Sequence, residues 1–128
     1  IQQMANQDSR VILTGFIQGQ ALKELYSNAY IYVLPSDLEG MPMSLLEAMS
    51  YGNCCLTSDI PECAEVVEDH AVTFHKSDVA DLTAKLSDLL ADPSRVAELQ
   101  ATAVNYITQK YNWDKVVDQT LALYKATE

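Results

Sequence analysis

Apolar positions in this chain come in two patterns that alternate. Some form short unbroken runs, and others recur at helical spacing. Val11-Ile12-Leu13, closed by Thr14-Gly15, predicts a buried strand and turn. Leu22, Leu25, Tyr26 and Ala29 then predict an amphipathic helix over residues 20–28. Residues 30–34 are apolar throughout, as expected of a strand covered on both faces. Pro35 and Ser36 end it, and a loop with Gly40 and Pro42 leads into a short helix at 44–51, stopped by Gly52. Residues 54–57 read as a third strand, 61–67 as a helix opened by Pro61, and 71–74 as a weaker fourth strand. From Asp78 onward the pattern is helical. Leu82, Leu86, Leu89 and Leu90 form one stripe, and Val96, Leu99, Ala103 and Ile107 form another behind Pro93. Asn112 is placed to cap a last helix carrying Val116, Val117 and Leu121.

Alternating strands and helices predict an α/β fold: a Rossmann-like parallel sheet of about four strands flanked by helices. A helical segment from about residue 78 to 128 completes a single domain over 1–128. No internal repeat or linker interrupts it. In such sheets ligands bind beyond the carboxyl ends of the strands. That places the loops at 15–19, 36–43 and 58–62 on one rim.

Charge narrows the ligands. The formal net charge is −10, which argues against nucleic acid and anionic membrane surfaces as general partners. The chain has 8 Lys and Arg residues, and none lies within 37–52. An anionic ligand held there needs backbone amides or a cation from elsewhere. No apolar run approaches the roughly 18 residues of a membrane span. The first residues lack the basic and apolar regions of a signal peptide. Position 1 is Ile rather than Met, so a fragment or processed product is expected. The expected location is cytoplasmic, with any membrane association supplied by a longer protein. Cys54, Cys55 and Cys63 have no metal-ligand spacing and read as small apolar core residues, with Cys54 and Cys55 on opposite faces of their strand.

The stretch 37–52 carries the candidate chemistry. A strand-to-helix turn at a sheet's carboxyl edge presents backbone N–H groups and a positive helix end. Here it also holds two carboxylates, Glu39 and Glu47. Ser44-Leu45-Leu46-Glu47 fits a capping box, with Ser44 as cap and Glu47 reaching back. The competing reading is that Glu47 accepts hydrogen bonds from an adjacent pair of ribose hydroxyls. Glu39 is either a solvated loop carboxylate or a group that faces a sugar and stabilises developing positive charge. Gly40 beside it allows close approach of the backbone to a ligand. Nothing sets the gap between the two carboxylates that a glycosidase dyad requires. His70 and His75 read as surface or strand-end residues, Trp113 as packing the last helix onto the body, and no set of metal ligands is visible.

These same residues resemble a known family. Val11-Ile12-Leu13-Thr14-Gly15-Phe16, Leu25-Tyr26-Ser27-Asn28-Ala29, Leu34-Pro35-Ser36, Glu39-Gly40-Met41-Pro42 through Leu45-Leu46-Glu47-Ala48-Met49 to Gly52, and Ser58-Asp59-Ile60-Pro61-Glu62 together resemble the carboxyl-terminal domain of family 4 (group 1) glycosyltransferases. Tyr111-Asn112-Trp113 resembles that family's start of the final helix. The resemblance implies a GT-B architecture, two Rossmann-like domains facing a cleft. It also implies hexosyl transfer with retention, as in polysaccharide biosynthesis. By resemblance Glu39 is the catalytic carboxylate at the donor sugar, and Glu47 binds the ribose of a nucleotide-diphosphate sugar. The amides of Gly40, Met41 and Met43 lie near the diphosphate and sugar. Gly15, Phe16 and Ile17 lie beside the base. No cofactor or metal is implied.

The chain departs from the family pattern at its start. Two strand–helix units, one with a basic pair that clamps the diphosphate, are absent, as is the acceptor domain. This 128-residue chain is therefore expected to be inactive alone. A saccharide or lipid-linked acceptor would meet it through the missing amino-terminal domain. The missing first strand sits centrally in the family sheet. Its absence predicts a homodimer, a strand swap or a rearranged sheet edge. A noncatalytic α/β binding or interaction module that keeps the motif for folding is the alternative reading.

Overall fold

The computed structural model describes residues 2–126. Three strands, β1 (Ile31–Leu34), β2 (Cys54–Ser58) and β3 (Val72–Phe74), form a parallel sheet in the order β1-β2-β3. Val33 pairs with Leu56, and Leu56 with Val72. Helix α3 (Met43–Ser50) crosses from β1 to β2, and α4 (Pro61–Val67) from β2 to β3. Two helices, α1 (Gln2–Ala5) and α2 (Gln20–Asn28), precede the sheet. Three follow it: α5 (Val79–Ala91), α6 (Pro93–Lys110) and α7 (Trp113–Lys125).

The central strand β2 is buried along its whole length. Alternation of side chains sends Cys55 into one core and Cys54 and Leu56 into another. The first core joins Cys55 to Leu45 and Met49 of α3, to Cys63, Val66 and Val67 of α4, and to Ala103 and Ile107 of α6. The second joins Cys54 and Leu56 to Phe74, to Leu89 of α5 and to Val96 and Leu99 of α6. Helix α6 thus closes both faces. All three cysteines are free and buried, as small apolar residues would be.

Local chemistry sets the helix ends. Pro61 and Pro93 occupy first turns, where no intrahelical N–H is needed. Asp78 caps α5 by accepting the Asp81 N–H at 2.9 Å, and Asn112 caps α7 by accepting the Asp114 N–H at 2.9 Å. Gly52 takes φ 78° after α3, a left-handed conformation natural to glycine.

Two expectations fail. Residues 11–13 form no strand, so the sheet has three strands rather than four. An apolar run becomes a strand only beside a partner, and among the described residues none pairs with this one or with the outer edge of β1. Val11, Ile12 and Leu13 lie exposed instead. Trp113 does not pack its helix onto the body: it is 78 % exposed, and no residue of α7 is buried.

Candidate functional site

The rim beyond the strand ends is built from the loops after β1, β2 and β3. Ser58 donates its hydroxyl to the Ser36 carbonyl, and Thr57 Oγ1 donates to the Leu34 carbonyl at 3.2 Å. Asp59 accepts the Lys76 N–H at 2.9 Å through Oδ1 and meets His75 Nδ1 at 2.8 Å through Oδ2. Ser77 Oγ donates to Asp37 Oδ1 at 2.7 Å. The loop at 15–19, expected on this rim, follows no strand. The loop after β3 stands on the rim instead.

Helix α3 begins differently from its capping-box reading. Pro42 is its N-cap, Met43 its first residue, and no side chain caps it. Ser44 lies inside the helix, where its Oγ accepts the Tyr32 hydroxyl proton at 2.9 Å. Glu47 therefore does not reach back to a Ser44 cap, and its side chain is exposed. The Met43 N–H donates to the Met41 carbonyl at 2.8 Å, which engages one of the three amides singled out above. Among the described residues, the Gly40 and Met41 amides have no acceptor.

A hydroxyl-rich aromatic cluster adjoins these groups. Tyr26 stacks on Tyr51 with ring centroids 5.4 Å apart and tilts against Tyr32 at 5.9 Å. Burial pushes the Tyr32 phenol pKa above its ordinary value. The Ser44 bond opposes this, while the charges of Glu39 and Glu47 both add to it. Burial, with Tyr32 and Glu47 nearby, pushes Tyr26 up to about 12. The sequence marked Tyr26 only as part of a helix face and of the family resemblance, and gave Tyr32 and Tyr51 no role of their own. The available signal was that a half-buried tyrosine on an apolar strand needs a partner for its hydroxyl.

Two grooves flank this centre. One, of about 560 Å³, is lined by Met41, Met43, Glu47, Lys110, Tyr111 and Trp113. Its lysine is already engaged, at 2.6 Å from Glu68 and 2.9 Å from the Tyr106 hydroxyl. Partial burial works against charge on Lys110, but Glu68 and Tyr106 outweigh it and hold the pKa above the usual range. The other, of about 750 Å³, runs between Thr14, Ile17 and the face of α2, and reaches Tyr26 and Tyr32. Ile17 is thereby brought near the tyrosine cluster. Gly15 and Phe16 line neither groove, and Phe16 is 89 % exposed. Among the described residues, no group of three or more His, Cys, Asp or Glu side chains is placed to hold a metal ion. Among the described residues, no helix is long and apolar enough to cross a membrane.

A three-stranded parallel sheet flanked by helices, with Glu39 in the loop after β1 and Glu47 on the crossover helix α3, defines a partial Rossmann-like α/β domain. The family model for glycosyl transferases group 1 matches residues 2–110, and the chain belongs to that family. Its fold is that of a GT-B type glycosyltransferase domain. The chain is 26 % identical over 118 residues to the uncharacterized glycosyltransferase MJ1607 of Methanocaldococcus jannaschii, covering 91 % of this chain and 30 % of that protein. It is 33 % identical over 105 residues to the serotype-specific mannosyltransferase WbdA of Escherichia coli, covering 82 % and 13 %. The sucrose-phosphate synthase structure (tll1590) from Thermosynechococcus elongatus superposes with a TM-score of 0.86 at 26 % identity, over 98 % of this chain and 32 % of that one. The chain spans less than a third of the length of each.

Proposed function

We propose that this chain is the donor-binding portion of a retaining glycosyltransferase. The reaction transfers a sugar from a nucleotide-diphosphate sugar to a saccharide or lipid-linked acceptor. One observation carries the reading: Glu39 in the loop after β1 and Glu47 on α3, the second not bound into a capping box, flank a strand-to-helix turn whose Gly40 and Met41 amides have no acceptor among the described residues. In this reading Glu39 faces the donor sugar and stabilises the positive charge that develops as the bond to the diphosphate breaks. Glu47 accepts the ribose hydroxyls. The open amides of Gly40 and Met41 lie beside the diphosphate, Pro42 has no N–H to offer, and Gly15-Phe16-Ile17 passes beside the base.

Stabilising the departing diphosphate is a large term in such a transfer. Lys110, the lysine in the groove beside Glu47, is committed to Glu68 and Tyr106. In this reading the charge that neutralises the diphosphate is supplied from outside the stretch 37–52, and this chain alone binds donor without transferring sugar. The bare outer edge of β1 and the exposed run 11–13 also support self-association through that edge.

Amide spectra during titration with UDP-glucose, GDP-mannose and ADP-glucose test the reading. At least one donor is expected to shift resonances from Gly40 to Glu47. Glu47→Gln is expected to abolish that shift while leaving stability within about 0.5 kcal/mol, as for a surface residue. Silence toward every donor overturns the proposal and favours the noncatalytic module.

A further inference from the structure

The rim contacts close into a ring that donor binding as read above does not use. Ser36 is joined to Ser58. Asp59, the next residue, holds His75 and Lys76. Ser77 follows Lys76 and holds Asp37, which follows Ser36. The ring surrounds a crevice of about 170 Å³ whose lining includes Ser36, Asp37, Ser58, Phe74 and Ser77. The turn carrying Ser77 is fixed from two sides. Asp59 grips it from the β2 end, and the His75 N–H donates to Asp81 of α5 at 2.7 Å. Ser77 itself sits at φ 60°, an uncommon conformation for a residue with a Cβ, so the surroundings hold it there. Glu39 lies two residues after Asp37. Between Leu38 and Met41, the contacts formed outside α3 are Ser36 Oγ to the Leu38 carbonyl at 3.2 Å and the Met43 N–H to the Met41 carbonyl. The Ser36–Leu38 contact is internal to the loop, so among the described residues the Ser77–Asp37 bond is the side-chain tie nearest Glu39 that comes from another part of the chain.

We propose that Ser77 is a positioning residue: its hydroxyl, presented by a turn that Asp59 and His75 fix, sets the placement of Asp37 and so of Glu39 and Gly40. The inference rests on Glu39 as the sugar-facing carboxylate and deepens that reading. His75 supplies a handle on the network. It faces Asp59 from the loop after β2, and Asp81 and Asp78 from α5. The Asp59 hydrogen bond, then the charges of Asp81 and Asp59, hold its pKa above the ordinary 6.5. Protonating His75 turns a hydrogen bond to Asp59 into an ion pair, and the turn carries that change to Ser77.

Amide spectra of the ligand-free chain between pH 5 and pH 8 test this. The amides of Ser77, Asp37, Glu39 and Gly40 are expected to shift with one midpoint, that of the His75 ring. Ser77→Gly suits the left-handed backbone and removes the hydroxymethyl side chain. It should abolish the response at Glu39 and Gly40 while His75 still titrates. Asp37→Asn keeps an acceptor oxygen and should retain the response, whereas Asp37→Ala should lose it. For whichever nucleotide sugar binds, Ser77→Gly should weaken affinity about fivefold, the loss of one hydrogen bond's worth of placement, and weaken the free nucleoside diphosphate less. Responses at Glu39 and Gly40 that ignore the His75 midpoint, or that persist in Ser77→Gly, overturn the proposal. A coupled loop in a chain silent to every nucleotide sugar overturns the donor reading alone.

Discussion

Asn53 offers the most direct test of how the tyrosine cluster is held. Its side chain is 3 % exposed and sits between two helix ends. Nδ2 donates to the Tyr26 carbonyl of α2 at 2.9 Å and to the Ala48 carbonyl of α3 at 3.0 Å. Both acceptors belong to the last turn of a helix, where carbonyls lack intrahelical partners. The Ala48 carbonyl also receives the Tyr51 and Asn53 N–H groups, so Asn53→Ala leaves it satisfied. The Tyr26 carbonyl has no such reserve. Two lost bonds at about 1 kcal/mol each, with a further increment for a half-buried orphan carbonyl, give a cost of about 2–3 kcal/mol. For a domain of this size that lowers Tm by roughly 10 °C. Asn53→Asp is nearly isosteric, yet it points an acceptor at two acceptors and should cost more than alanine. Urea unfolding followed by circular dichroism gives the energies, and hydrogen exchange locates the damage. Helix α2 buries no side chain of its own, so its amides should exchange faster while β2 stays protected. An aspartate variant as stable as the wild type, or an alanine variant within 0.5 kcal/mol of it, would refute this account of the joint.

Two further outcomes follow. Burial pushes the thiol of Cys55 up to about 12 and that of Cys54 to about 11, and raises that of Cys63. At pH 8 the native chain should leave a thiol reagent unconsumed, and in denaturant it should titrate 3 thiols; rapid native labelling would contradict the buried placement. Self-association through the β1 edge should give a dimer mass by light scattering, and a monodisperse monomer would count against it.

The elements most legible in the sequence were those punctuated locally. Pro61, Pro93, Asn112 and Gly52 act through their own backbone or side-chain chemistry, and the helices they bound appear where the pattern placed them. The cysteine pair was legible for a similar reason, because alternation along a strand is a property of the strand alone. What failed depended on distant partners. Val11-Ile12-Leu13 has a strand's composition but no neighbour to pair with. Ser44 and Glu47 have a capping box's spacing, but the helix starts earlier, at Met43, and Tyr32 from β1 claims the Ser44 hydroxyl. Asp59 and His75 are far apart in the chain, and only the parallel arrangement of β2 and β3 places their loops side by side. The two glutamates were visible as candidates, whereas the Tyr32–Ser44 bond and the stacked Tyr26 and Tyr51 became visible only with the fold.

Helix α6 has a consequence for the order in which the chain can fold. Its early residues, Val96 and Leu99, complete the core on one side of the sheet, and its later ones, Ala103 and Ile107, complete the core on the other. Everything that forms the sheet is synthesised before it. On a ribosome, strands β1 to β3 emerge with neither face fully covered, and they wait for one late segment to close both. A chain interrupted within α6 thus keeps its rim loops and crossover helices but leaves one or both cores open to water. The architecture makes emergence of α6, rather than completion of the rim loops, the step that commits this domain to its folded state.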